Sequence, residues 1–126
     1  MSERKSILKD KSFLFAVRIV KLHRYLIKKK DFDISRQILR SGTAIGALIR
    51  EAQNAESKKD FIHKLGIAQK ECDETIFWLE LLFASQDLTE QEFSSLHFDA
   101  VELYKMIISS IITTRKNMNS GTEKND

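Results

Sequence analysis

The sequence predicts an all-α protein, an up-down-up-down four-helix bundle. Three observations carry this. Apolar residues recur at helical spacing in four successive windows. The links between windows are short, and two of them open on a serine or threonine followed three residues later by an acid. The 126 residues include no proline, where average usage would give about six, so nothing forces a kink in a long helix.

The first helix is expected from about Ser12 to Lys30. At about 100° per residue its apolar positions form two stripes. One is Phe13, Ala16, Val17, Val20 and Ile27. The other is Phe15, Ile19, Leu22 and Leu26. A helix in an isolated monomer usually needs one buried stripe, so two point to a partner surface. Phe15, Ile19, Leu22 and Leu26 are assigned to an oligomer interface.

The link Asp31 to Asp33 offers Asp33 as an N-cap. The second helix then runs to about Ala55, with Ile34, Ile38, Ser41, Ile45, Leu48, Ile49 and Ala52 inward. Gly42, Ala44, Gly46 and Ala47 lie beside that stripe. Each helical glycine costs about 1 kcal/mol relative to alanine, and such clustering suggests close helix approach. Ser57 to Asp60 is a capping-box-like start. The third helix runs to about Ser85, with Phe61, Leu65, Ala68, Cys72, Ile76, Leu79 and Phe83 inward; Trp78, Ile67 and Leu81 lie off that stripe. Thr89 to Glu92 is a second capping box. The fourth helix carries Phe93, Leu96, Ala100, Leu103, Tyr104, Ile107 and Ile111. Residues 1–11 read as a basic extension, 12–116 as the bundle, and 117–126 as a frayed tail.

Composition narrows the function classes. Apolar residues make up 42% of the chain, which supports a folded core. One cysteine excludes an internal disulfide framework and fits a reducing compartment. No apolar run approaches the roughly 18 residues of a membrane span, so a cytoplasmic protein with no membrane partner is expected. Net charge is +3, but residues 1–30 hold ten Lys/Arg against Glu3 and Asp10, whereas residues 61–90 hold Lys64 and Lys70 against six acids. Such opposed segments can pair within a fold, pair between subunits, or bind an external polyanion.

No constellation points to catalysis. A di-metal carboxylate bundle needs two Glu-x-x-His pairs; this chain has Asp60-x-x-His63 and scattered His23 and His97. Cys72 lies on the inward stripe between Glu71 and Asp73, whose charges oppose thiolate formation. No phosphate-binding glycine loop or nucleophile elbow occurs. Neither a catalytic residue, a metal, a cofactor nor a small-molecule substrate is expected. Glu71, Glu74 and Arg50 are candidates for interhelical ion pairs or a solvated face. Lys11, Arg18, Lys21, Tyr25, Lys28 and Lys29 form a basic arc on the first helix. Mobile cations suit phosphate, and a tyrosine among them suits stacking on an unpaired base. The same arc serves equally as a solubilising face or a partner for the acidic third helix.

The wording of SGTAIGALIREAQNAESKKDFIHKLGIAQKECDETIFWLELL, with SFLFAVRIVKLHRYL upstream, resembles the bacterial four helix bundle protein family, known as products of intervening sequences in large-subunit ribosomal RNA genes. The resemblance covers about residues 12–115 of the chain. It implies a left-handed up-and-down bundle and assembly as a homopentamer. A related branch, the accessory variability proteins of diversity-generating retroelements, implies a basic pentamer that binds nucleic acid and a reverse transcriptase. Leu48 stands where many relatives carry a polar amide, so a hydrogen bond made there is replaced by apolar packing. The family has no established catalytic residues to carry over. The expected function is therefore a non-enzymatic homo-oligomer, pentameric by resemblance, that binds RNA or a ribonucleoprotein through basic surface. The alternative is a protein-interaction scaffold with no nucleic-acid role.

Overall fold

A computed structural model describes residues 3–120, with side chains from Ile7 onward. Four helices follow in chain order: α1 (Glu3–Lys28), α2 (Asp33–Gln53), α3 (Lys58–Ala84) and α4 (Glu90–Asn119). Among the described residues each packs closely against its two neighbours. Ile19 meets Gly42, Ser41 meets Thr75, Cys72 meets Ala100 and Arg18 meets Asp99. Every seam is therefore antiparallel, and the bundle closes with α4 beside α1.

α1 begins earlier than the sequence reading placed it. Residues 3–11 of the expected extension are helical, because Leu8 prolongs the Leu22-Ile19-Phe15 stripe into the core and Ser12 is buried with its hydroxyl donating to the Lys9 carbonyl at 3.0 Å. Residues 117–119 likewise form the last turn of α4. The remainder of both expected terminal segments, residues 1–2 and 121–126, lies outside the described residues.

The largest correction concerns α1. Phe15, Ile19, Leu22 and Leu26, expected at an oligomer interface, are 2%, 0%, 7% and 0% exposed within the single chain. Residues so enclosed have no area to offer a partner. The outward stripe is the other one: Phe13 is 55% exposed, and Leu14, which belonged to neither stripe, is 62% exposed. Periodicity identifies stripes but not which one faces the core; the small residues of α2 decide that. Gly42 closes directly over Ile19, and Gly46 sits where a Cβ would stand 3.2 Å from the Ser12 carbonyl oxygen. The close approach expected of these glycines occurs against α1.

The helix ends follow local chemistry. The Ser57 hydroxyl accepts from the Asp60 N–H at 3.0 Å. Thr89 and Glu92 form the full reciprocal box, with bonds of 3.1 and 2.9 Å. Asp33 is not the N-cap of α2 but its first residue; Asp31 accepts from the Ile34 N–H instead, at 3.2 Å. α1 and α3 end alike. Asp31 N–H donates to Leu26 and Lys30 N–H to Ile27; Asp87 N–H donates to Leu82 and Gln86 N–H to Phe83. This is the Schellman pattern, which needs a left-handed residue, and Lys30 (φ 65°) and Gln86 (φ 68°) supply it without glycine.

The inward residues expected of α2, α3 and α4 mostly hold, with local shifts. Phe83 is on the surface side, stacked on Phe93 with ring centroids 4.5 Å apart, and Leu82 fills the core in its place. Thr75 is buried where Ile76 is half-buried. The Thr75 and Ser41 oxygens lie 2.9 Å apart, and Thr75 Oγ1 is 2.8 Å from the Glu71 carbonyl. One hydroxyl carries one hydrogen, so Thr75 donates to Glu71 and accepts from Ser41. This polar bridge between α2 and α3 is fully satisfied, as buried polar groups must be.

Candidate interaction surface

The six residues of the basic arc divide into two sets. Lys11, Arg18, Tyr25 and Lys29 recur at spacings of seven, seven and four, which turns them toward the α1–α4 seam. Lys11 Nζ donates to Glu102 at 3.0 Å. Arg18 donates to Asp99 at 2.6 Å, to the Ser95 hydroxyl at 2.9 Å and to the Ser95 carbonyl at 3.3 Å. Lys29 donates to the Asp87 carbonyl at 3.1 Å and lies 5.2 Å from the Tyr25 ring centroid. These contacts fasten α1 to α4 and to the link that precedes it, and neutralise Lys11 and Arg18. Lys21 and Lys28 point outward and are exposed. The exposed Arg24, which sequence reasoning missed, joins them, because positions 21, 24 and 28 follow the three-then-four helical step.

The outward face of α1 is thus divided along its length. Its first half exposes Phe13 and Leu14, with Val17 half-buried behind them; its second half exposes Lys21, Arg24 and Lys28. The upper outward face of α3 has the complementary character. Phe77 (53% exposed) and Leu81 lie there with Asp73 and Glu80.

The expected interhelical ion pairs exist with a different cation. Arg40, not Arg50, meets α3. Its guanidinium donates to both Glu71 oxygens, at 3.0 and 3.1 Å, and to Glu74. Trp78 Nε1 donates to the same Glu74 oxygen at 2.9 Å. The indole N–H, followed by Arg40, holds the Glu74 carboxyl below its ordinary range, and the bonds to Glu74 and Glu71 raise Arg40. The signal for this was Glu71 and Glu74 at i, i+3, which one arginine fork can span. Glu51, next to Arg50, also reaches α3, accepting from Lys64 at 3.1 Å. Arg50 lines a surface groove of about 640 Å³ with Phe13, Gly46 and Lys64.

The nucleophile and ligand candidates are separated. Cys72 is buried with Sγ 3.2 Å from the Ala100 carbonyl, and burial, helped by Asp73, pushes its thiol up to about 12. His23 Nδ1 lies 3.0 Å from the Ser35 carbonyl, His63 is exposed, and His97 stacks on Phe93 and lies 3.6 Å from Glu80. Among the described residues no group of three His, Cys, Asp or Glu is placed to hold a metal, and no helix is long and apolar enough to cross a membrane.

Comparison with known proteins places this bundle. The family model described as 23S rRNA-intervening sequence protein matches residues 4–109. No curated protein matches. Among solved structures, the chain is similar to a protein of unknown function from the S23 ribosomal protein family of Bacteroides thetaiotaomicron VPI-5482. The two are 50% identical over 86% of this chain and 97% of that chain, with a TM-score of 0.84. With its helices superposing on that protein and the family match running from the first turns of α1 deep into α4, the chain belongs to the 23S rRNA-intervening sequence protein family.

Proposed function

We propose that this protein is a cytoplasmic, non-enzymatic homo-oligomer, pentameric as the sequence resemblance implies, that binds RNA or a ribonucleoprotein through the basic half of α1. The observation that carries the reading is the divided outward face of α1. Phe13 and Leu14 are more than half exposed, and an apolar patch of that kind favours a protein contact. Phe77 and Leu81 on the upper outward face of α3 offer a second exposed apolar surface to meet it. Two different faces meeting head to tail close into a ring when the rotation allows. Lys21, Arg24 and Lys28 supply phosphate contact with little base readout. The family is that of 23S rRNA-intervening sequence proteins, and the solved relative comes from the S23 ribosomal protein family. The insulated thiol of Cys72 and the separated histidines favour binding over catalysis.

Sedimentation velocity tests assembly. The wild type is expected to sediment as an oligomer and Phe13→Asp/Leu14→Asp as a folded monomer; a monomeric wild type at micromolar concentration ends this part of the reading. Gel-shift titration with structured ribosomal RNA at two salt concentrations tests binding. Lys21→Gln/Arg24→Gln/Lys28→Gln is expected to weaken it. The neutralisation of Lys11 and Arg18 by α4 favours a second reading, a scaffold for protein partners, and absence of RNA affinity even at low salt would decide for it.

A further inference from the structure

We infer that the outer groove between the first half of α3 and the last half of α4 is a second RNA-backbone contact, on the side of the bundle opposite the α1–α2 seam. The inference rests on the RNA reading above and assigns it a surface that α1 does not supply. Four observations carry it.

The first is charge. Lys59 and Lys70 on α3, with Lys105, Arg115 and Lys116 on α4, are all exposed, and none has an ion-pair partner among the described residues. The second is how α4 becomes basic there. Its two mid-helix carboxylates, Asp99 and Glu102, are held by Arg18 and Lys11 from α1. The same pairs that neutralise part of the α1 arc leave the cations of α4 uncompensated.

The third is register. α3 and α4 are antiparallel, with Cys72 against Ala100 and Phe83 against Phe93. Continued downward, this register brings Lys59 to Arg115, and both line one cleft of about 350 Å³ with Ile62, Met118 and Asn119. It also brings Lys70 to within about a turn of Lys105. The groove therefore has Lys59 and Arg115 together at one end, with Lys70 on α3 and Lys105 on α4 about 16 Å further along at 1.5 Å per residue.

The fourth is access. Gly66 lies between Lys59 and Lys70 on α3, and a Cβ built there meets nothing within 4 Å. The surface is therefore open beside Gly66, midway along the track. The track ends above Lys70, where Asp73 and the exposed Phe77 replace basic residues on α3. A phosphodiester chain, with one negative charge at each unit, suits mobile cations spaced along a shallow groove. No base-reading motif is present, so the contact positions RNA without reading its sequence.

The test uses full-length protein and a structured ribosomal RNA fragment, titrated at several salt concentrations. Lys59→Gln/Lys70→Gln/Lys105→Gln/Arg115→Gln is expected to weaken binding roughly tenfold or more near 0.1 M salt, and to lower the slope of log affinity against log salt by about three. Gly66→Glu, which adds a carboxylate to open space in a helix, is expected to weaken binding several-fold, while Gly66→Gln leaves it unchanged. This pair isolates charge from fold if the quadruple variant folds poorly. Wild-type binding with unchanged affinity in both Gly66→Glu and the quadruple variant overturns the groove while leaving the α1 reading intact. No wild-type binding at low salt overturns both.

Discussion

Gly42 of α2 lies so close to Ile19 of α1 that a Cβ on it would stand 2.8 Å from both Ile19 Cγ1 and Cγ2. Both carbons are fixed to one Cβ, so rotation of the isoleucine replaces one clash with the other. Gly66 of α3 has open space in the same direction. Alanine gains about 1 kcal/mol of helix propensity over glycine at either position, but overpacking costs about 1–3 kcal/mol. Gly42→Ala is expected to destabilise the protein by about 1 kcal/mol, and Gly66→Ala to stabilise it by about 0.5–1 kcal/mol. Urea denaturation of the two variants checks the opposite signs. A stabilised Gly42→Ala would show that the α1–α2 seam is looser than described.

Gln86 closes α3 in the left-handed conformation at φ 68°. A side chain there costs about 1–2 kcal/mol that glycine avoids, offset by the greater freedom glycine has when unfolded. Gln86→Gly is therefore expected to raise the unfolding free energy by about 0.5–1 kcal/mol, with the same sign for Lys30→Gly. Thermal melts monitored by circular dichroism test this.

Trp78 is the one tryptophan of the chain and donates to Glu74. Its fluorescence should therefore report the ionisation of that carboxyl. The Glu74 pKa is depressed below its ordinary 4.5 by the indole bond first and Arg40 next. A depressed folded pKa means that this carboxylate stabilises the fold above the ordinary value, and that the contribution fades as pH falls through the folded value. Emission should titrate with a midpoint below 4.5. In Arg40→Gln the midpoint should move up, and in Glu74→Gln the titration should vanish. A midpoint unmoved by Arg40→Gln would sever the proposed coupling.

Cys72 has the opposite sense. Its thiol is raised from 9.0 to about 12, so the unfolded chain loses this proton first as pH rises. Stability is expected to fall between those two values, and Cys72→Ala to flatten that alkaline limb. At pH 8 the thiol should react with an aromatic disulfide reagent only as fast as the protein opens; rapid stoichiometric reaction in native buffer would contradict the burial.

The cost of Phe15→Ala, about 3–5 kcal/mol for a buried phenylalanine, contrasts with the surface position of Phe13 two residues earlier. Sequence periodicity found both stripes of α1 and could not rank them, because each is apolar and each recurs at helical spacing. The ranking comes from the partner. Gly42 and Gly46 let α2 press onto the Ile19 and Ser12 side, and that choice sends Phe13 and Leu14 to the surface. The fate of the arc was equally non-local. Lys11 and Arg18 look no different in sequence from Lys21 and Lys28, yet Glu102 and Asp99 lie more than eighty residues away along the chain.

By itself the sequence determined the number of helices, their caps at Ser57 and Thr89 and most of the residues that turn inward on α2, α3 and α4. These depend on contacts within a few residues, where helical spacing, hydroxyl acceptors and missing prolines act directly. Only the tertiary structure decided which side of α1 is inside, which cations are neutralised and where charge is left over. Those outcomes depend on which groups from distant segments come within a few ångströms, and Coulomb attraction and close packing have effect only once the folded chain has brought them there.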